Sequence, residues 1–219
     1  MSKPIEKREA ATKAFFNEMA STYDADVQVL GWDPVEVVKL WPFMIFPGES
    51  YLDVGCGTGA LLSFFSGAQR KLSAMDLSTE MIAQARRRED LKQVDFVQGS
   101  AEAIWPFPTD EFDKVTCLAM LEFVEHLDVA LDELLRVMKP GGRALFSVED
   151  RIDWLDTDRG GYELRYGEFP LWRRSLEEVK LYLPPGAKIV KSERQRGYEV
   201  TELGFTTAYH VIEIEKEYT

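Results

Sequence analysis

At 219 residues the chain has room for one domain with a small cap, against a rough ~150 residues per domain. Its 38 acidic and 26 basic residues leave a net charge of −12, which argues against unaided binding to phosphate backbones, because non-specific nucleic-acid affinity comes from cationic side chains. No apolar stretch approaches the roughly 20 residues of a membrane helix, and the charged first residues do not resemble a secretory signal. Two cysteines, Cys56 and Cys117, make neither a disulfide framework nor a four-ligand zinc site. The expectation is a reducing, cytoplasmic setting without metal, membrane or nucleic-acid partner.

Residues 4–23 carry apolar positions at helical spacing (Ile5, Ala10, Ala14, Phe15, Met19), predicting a helix that ends near Tyr23-Asp24. A second helix is expected over 33–46, with Asp33 as N-cap and Pro34 in the first turn. From residue 50 short apolar runs alternate with longer amphipathic ones. Strands are predicted at 50–54, 71–75, 94–98, 112–117 and 143–149, and helices at 59–66, 78–88 and 127–138. That alternation predicts an α/β fold, a Rossmann-like doubly wound sheet with helices on both faces. Lys139-Pro140-Gly141-Gly142 reads as a helix stop followed by a tight turn.

Residues 150–186 break the rhythm. They are rich in charge and aromatics (Trp154, Tyr162, Tyr166, Phe169, Trp172), with a helix expected at 175–183. Strand candidates at 187–195 and 206–215 follow. The organisation expected is one domain, with a helical cap over 1–48 and a ligand-binding core over 49–149. A substrate-side insertion over 150–186 and C-terminal strands over 187–219 complete it.

The most informative stretch is Tyr51-Leu52-Asp53-Val54-Gly55-Cys56-Gly57-Thr58-Gly59-Ala60, a glycine-rich turn between a buried strand and a helix. Glycines there let the backbone turn sharply and meet a ligand with bare amides, although such a turn also serves packing alone. Asp76 closes the next strand, where an acid can accept both hydroxyls of a ribose. It could instead cap the following helix, but Ser78 can do that unaided. Gly55-x-Gly57-x-x-Ala60 also satisfies the dinucleotide fingerprint, so pyrophosphate binding is a rival. Asp53, two residues before the first glycine, would oppose a pyrophosphate and suit a cationic ligand.

Asp53-Val-Gly-Cys-Gly-Thr-Gly59 resembles the first motif of class I S-adenosylmethionine-dependent methyltransferases, and the likeness continues. Met75–Arg86 is similar to the segment whose acid holds the ribose. Gly99-Ser-Ala-Glu102 with Pro106–Asp113 resembles the adenine-side loop, and Leu134–Gly142 the helix end before strand five. Residues 15–24 resemble the lead helix of the small-molecule branch, where a tyrosine, here Tyr23, closes over the cofactor. Two departures stand out: Ser100 replaces a common aspartate, and Phe123 a frequent histidine.

The resemblance implies seven strands, mostly parallel with an antiparallel last strand, and S-adenosylmethionine as cofactor with S-adenosylhomocysteine as product. It implies that Gly55, Cys56 and Gly57 border the methionine part, with Asp53 near its ammonium. Asp76 would hold the ribose. Leu77, Met81, Ser100, Ala101, Glu102 and Leu118 would surround the adenine.

In-line methyl transfer gains most from alignment, so no catalytic triad is required, and none is found. General-base candidates are Glu122, His126, Asp150, Tyr166 and His210. The structural alternatives are a solvated helix face for Glu122 and His126, and a core or edge position for His210. The function implied is methyl transfer to a small-molecule acceptor. Its rivals are a catalytically silent binding domain of the same fold and, further off, an NAD-dependent oxidoreductase. Cys117-Leu118-Ala119-Met120 stands where a nucleic-acid methyltransferase would carry Asn/Asp-Pro-Pro-aromatic. Arg151, Arg159, Arg165, Arg173 and Arg174 in the insertion favour an acidic acceptor, unless they pair with the acids around them. The sequence leaves the acceptor and the oligomeric state open.

Overall fold

The computed structural model describes residues 5–30, 33–67, 71–152, 162–165, 169–200 and 204–218. Nine strands are described: β1 (Ser50–Val54), β2 (Lys71–Asp76), β3 (Asp95–Gln98), β4 (Phe112–Cys117), β5 (Met138–Glu149), β6 (Tyr162–Arg165), β7 (Phe169–Trp172), β8 (Ala187–Val200) and β9 (Phe205–Lys216). Seven form one sheet in the order β3-β2-β1-β4-β5-β9-β8, and β6 and β7 pair as a separate hairpin. Strands β1 to β5 run parallel, and β9 is antiparallel to both β5 and β8. This is the mostly parallel seven-stranded sheet with an antiparallel last strand.

The helices are α1 (Ile5–Met19), α2 (Tyr23–Leu30), α3 (Pro34–Leu40), α4 (Ala60–Phe65), α5 (Thr79–Ala85), α6 (Leu127–Val137) and α7 (Leu176–Tyr182). Each face of the sheet carries its own apolar layer. Leu52 and Val54 of β1 meet Leu127, Leu131 and Leu134 of α6 on one side. Tyr51 meets Leu61, Leu62 and Phe65 of α4 and Ile82 of α5 on the other. Every residue of β1 is buried, Ser50 and Asp53 included, as in a central parallel strand covered on both faces.

Several expectations are corrected. The first helix stops at Met19, and a second, α2, begins at Tyr23. Asp33 does cap α3 by accepting from the Val35 amide, but the helix ends at Leu40, because Pro42 cannot continue the ladder. Strand β5 begins at Met138, earlier than expected, and the turn at 139–142 lies inside it as a bulge: Gly141 sits at φ +76°, and the register with β4 shifts between Phe112 and Lys114. The β6–β7 hairpin was not expected. Trp154, Arg159 and Tyr166 lie outside the described residues, and of Tyr162, Arg165 and Phe169 only the backbone is described. Among the described residues no helix is long and apolar enough to cross a membrane, and no group of three or more His, Cys, Asp or Glu could hold a metal ion.

Candidate functional site

The carboxyl ends of β1, β2 and β4 converge on one cavity, as expected where strand order reverses in an open α/β sheet. The glycine loop after β1 forms its edge. Gly55 and Cys56 amides donate to the Met75 carbonyl (2.7 and 3.2 Å), and the Gly59 amide donates to Cys56 (2.9 Å). The Gly57 amide donates to Asp76 Oδ2 at 2.8 Å. These four amides are therefore turned into the protein and make no anion nest, which removes the pyrophosphate reading. Gly57 sits at φ +53°, and a Cβ there would meet only Tyr23, 3.8 Å away across the cavity.

Asp76 closes β2 with both oxygens in use: Oδ2 accepts from Gly57 and Oδ1 from the Ser78 amide at 2.8 Å. Ser78 caps α5 through its own hydroxyl, which accepts from the Met81 amide at 3.1 Å. The carboxylate thus braces the loop against β2. Each of its oxygens still has a second lone pair for a ligand hydroxyl. Burial pushes its pKa up, against those amide hydrogen bonds.

Asp53 lies 2% exposed near the end of β1. Thr116 on β4 donates to its Oδ1 at 2.6 Å, and the Tyr51 hydroxyl lies 2.5 Å from Thr116 Oγ1. Burial, opposed by the Thr116 hydrogen bond and aided by the nearby Asp76 charge, pushes Asp53 up to about 7. Such a carboxyl is poised to ionise when a cation arrives. Cys56 and Cys117 are free, buried thiols whose pKa values burial raises.

Asp76, Leu77, Met81, Ser100, Ala101 and Glu102 line the cavity together with Gly55, Gly57 and Tyr23. Ser100 contacts Glu9 of α1 and accepts from the Glu102 amide at 2.9 Å, while Glu102 Oε1 accepts from the His126 amide at 2.8 Å. Their side chains are therefore engaged within the wall. Past the glycine loop a second chamber opens, lined by Asp53, Cys56, Leu118, Glu122, Tyr198 and Tyr209 among others. Phe16, Tyr23, Gly55, Gly57, Ala119 and Phe123 border both spaces. Phe16 meets Phe123 edge-on with centroids 5.1 Å apart and meets Tyr23 at 6.4 Å. Leu118 lines the second chamber rather than the first.

Helix α1 covers the first cavity. The Ser78 hydroxyl donates to Asn17 Oδ1 at 2.7 Å, Arg8 pairs with Glu125, and on α2 Asp24 accepts from Thr58 at 2.5 Å. Burial, reinforced by the charge of Asp76, pushes the Tyr23 hydroxyl up to about 12, so it stays a donor.

Of the described base candidates only Glu122 borders the cavities. It is 2% exposed and accepts from the Tyr209 hydroxyl at 3.1 Å, which overturns the solvated-face alternative for this residue. His126 is exposed and precedes α6. His210 and Asp150 hold each other at 2.8 Å, with Arg194 also on Asp150. Sequence reasoning did not place Phe16, Ala119, Tyr198 or Tyr209 in the site. Nothing in the sequence marks them: the strained turn after β4, with Ala119 at φ +54°, shows only in the structure.

A family profile described as "Methyltransferase domain" matches residues 52–146. The chain is 33% identical over 145 residues to a demethylmenaquinone methyltransferase from Renibacterium salmoninarum, covering 64% of this chain and 59% of that protein. It is 34% identical over 161 residues to a ubiquinone biosynthesis O-methyltransferase from Thiobacillus denitrificans, covering 71% and 67%. It thus spans between about half and two thirds of the length of such relatives. The fold is shared with a crystal structure from Methanosarcina mazei described as that of SAM-dependent methyltransferases. There the TM-score is 0.67 at 19% identity, covering 82% of this chain and 98% of the other.

Proposed function

The chain belongs to the class I S-adenosylmethionine-dependent methyltransferases, and on that premise we propose that it moves a methyl group from S-adenosylmethionine to a small-molecule acceptor, mainly by positioning the two. The observation that carries the reading is a pair of adjoining spaces that share walls at the Gly55–Gly57 loop, one lined by Asp76 and the other by Glu122. The open side of Gly57 fits a ligand lying against bare backbone. When bound, the cofactor supplies an electrophilic methyl group on a sulfonium.

Asp76 accepts the ribose hydroxyls with the lone pairs its amide partners leave. Asp53 faces the ammonium of the methionine part, and Leu77, Met81 and Ala101 give the adenine an apolar seat. Ser100 and Glu102 hold the loop beneath it. Tyr23 and Phe16 exclude water between the two spaces, which strengthens the electrostatic interactions inside.

An acidic acceptor loses its described support. Arg151 donates to Glu178 at 2.6 Å, and Arg173 to Glu149 at 2.6 Å. Arg174 is spent on the carbonyls of Leu121, Val124 and Glu125.

Calorimetry tests the cofactor reading: S-adenosylhomocysteine binds and NAD does not. Incubation with methyl-labelled cofactor and a bacterial metabolite extract then yields labelled small molecules. Binding of NAD in preference to S-adenosylhomocysteine, or binding without any methyl incorporation, would sink the proposal.

A further inference from the structure

The second chamber is unlike an anion site. Among its described lining residues there is no Lys, Arg or His, but three carboxylates: Asp26, Asp53 and Glu122. The guanidiniums of Arg173 and Arg174, which hydrogen bonds hold beside this chamber, are engaged elsewhere. Arg173, itself 1% exposed, holds Glu149, which in turn accepts from the Tyr198 hydroxyl at 3.0 Å. Arg174 donates to three carbonyls of the segment that carries Glu122.

The rest of the far wall is aromatic. Tyr198 and Tyr209 stand with centroids 6.5 Å apart and planes tilted at 52°. The Tyr209 hydroxyl donates to Glu122 Oε1, which fixes the direction of that carboxylate. A carboxylate among ring faces attracts a cation by charge and by the ring quadrupoles together. The same wall repels an anion, and more strongly because it is shielded from water.

We infer that this chamber takes a ring-sized aromatic acceptor without negative charge, whose amine or hydroxyl group is held at Glu122 between Tyr198 and Tyr209. The inference rests on the methyltransferase reading and narrows its substrate class. Glu122 acts as the selector: it rewards a protonated amine, accepts a hydrogen bond from an uncharged hydroxyl, and excludes a carboxylate or phosphate. Asp53 is claimed by the cofactor's ammonium in this arrangement, so the acceptor meets Glu122 as the inner charge.

Three matched compounds test it: benzylamine, benzyl alcohol and benzoate, titrated near neutral pH by ligand-observed NMR into protein saturated with S-adenosylhomocysteine. Benzylamine is expected to bind roughly tenfold or more tightly than benzoate, with benzyl alcohol between them. Glu122→Gln keeps the side chain's size and an acceptor for Tyr209. It is expected to weaken benzylamine roughly tenfold or more and benzyl alcohol less, with S-adenosylhomocysteine unchanged. A merely structural glutamate would shift all ligands alike. The wild-type series stands by itself should the variant not fold. Benzoate binding as tightly as benzylamine, an unaltered preference in Glu122→Gln, or no binding of any of the three while S-adenosylhomocysteine binds would overturn the inference. Failure of S-adenosylhomocysteine itself to bind would overturn the methyltransferase reading beneath it.

Discussion

At Gly57 the backbone sits at φ +53° and the space beyond it belongs to the cavity, whereas at Gly55, φ +73°, a Cβ would meet Met120 Cβ at 2.6 Å and Cγ at 2.7 Å. Two glycines in one motif therefore do different work. Gly57→Val is expected to abolish S-adenosylhomocysteine binding by calorimetry while the far-UV circular dichroism stays native. Gly55→Ala is expected to lower the unfolding temperature, because the turn after β4 must move aside. Asp76 carries a third expectation. Asp76→Asn puts an amide NH2 against the backbone N–H of Gly57 or Ser78, so the loop loses its brace as well as a charged acceptor. Hydrogen bonds to a charged group contribute roughly 1.5–3 kcal/mol, and affinity should fall at least ~tenfold. Equal affinity in wild type and variant would remove Asp76 from the site.

Helix α1 and the start of α2 roof the cofactor space. Asn17 Oδ1 accepts from Ser78 Oγ at 2.7 Å and from the Glu80 amide at 3.3 Å, tying the roof to the N-terminus of α5. Glu9, Thr12, Phe16 and Tyr23 of this roof line the first cavity, so amide hydrogen exchange over residues 8–26 is expected to slow when S-adenosylhomocysteine binds. Asn17→Ala should speed that exchange in the free protein and raise the product's dissociation rate. Exchange over 8–26 indifferent to ligand would show that the roof is no lid. The same elements mark what could be read from sequence. β1 and β4 fall on their expected bounds, and β2 within a residue of them, because each is a short segment with an apolar centre bounded by turn or helix signals. The break between α1 and α2 carries no Gly or Pro, so helical periodicity ran through it. The glycine loop and Asp76 were legible because they sit at the ends of neighbouring strands. The Glu122–Tyr209 pair was not: 87 residues separate them, and only the β4-β5-β9 strand order brings them together.

Across the whole molecule, folding and ligand binding are coupled through protons, with opposite signs at two carboxyls. Glu178 is held down to about 2 by the Arg151 guanidinium and the Ser175 cap. Its stabilisation is present above its ordinary value near 4.5 and is lost as pH falls toward 2. Asp53 behaves in reverse. Raised by burial from 3.8 to about 7, it favours the folded state most fully below its ordinary value, and that contribution is lost as pH rises through about 7. A cofactor whose ammonium faces Asp53 needs the ionised form. Below about pH 7 the carboxyl must release its proton before the pair can form, so affinity for S-adenosylhomocysteine should fall roughly tenfold for each further unit of acidity and level off above. Calorimetry at slightly acid pH, in two buffers of unequal ionisation enthalpy, should detect up to about one proton released per ligand bound. Asp53→Asn removes the titrating group and should give weak binding with no such slope, which separates Asp53 from the two histidines of the chain. An affinity that is flat from pH 6 to 8 in the wild type, or that rises toward acid, would place the ammonium away from Asp53 and leave the carboxyl a buried partner of Thr116 alone.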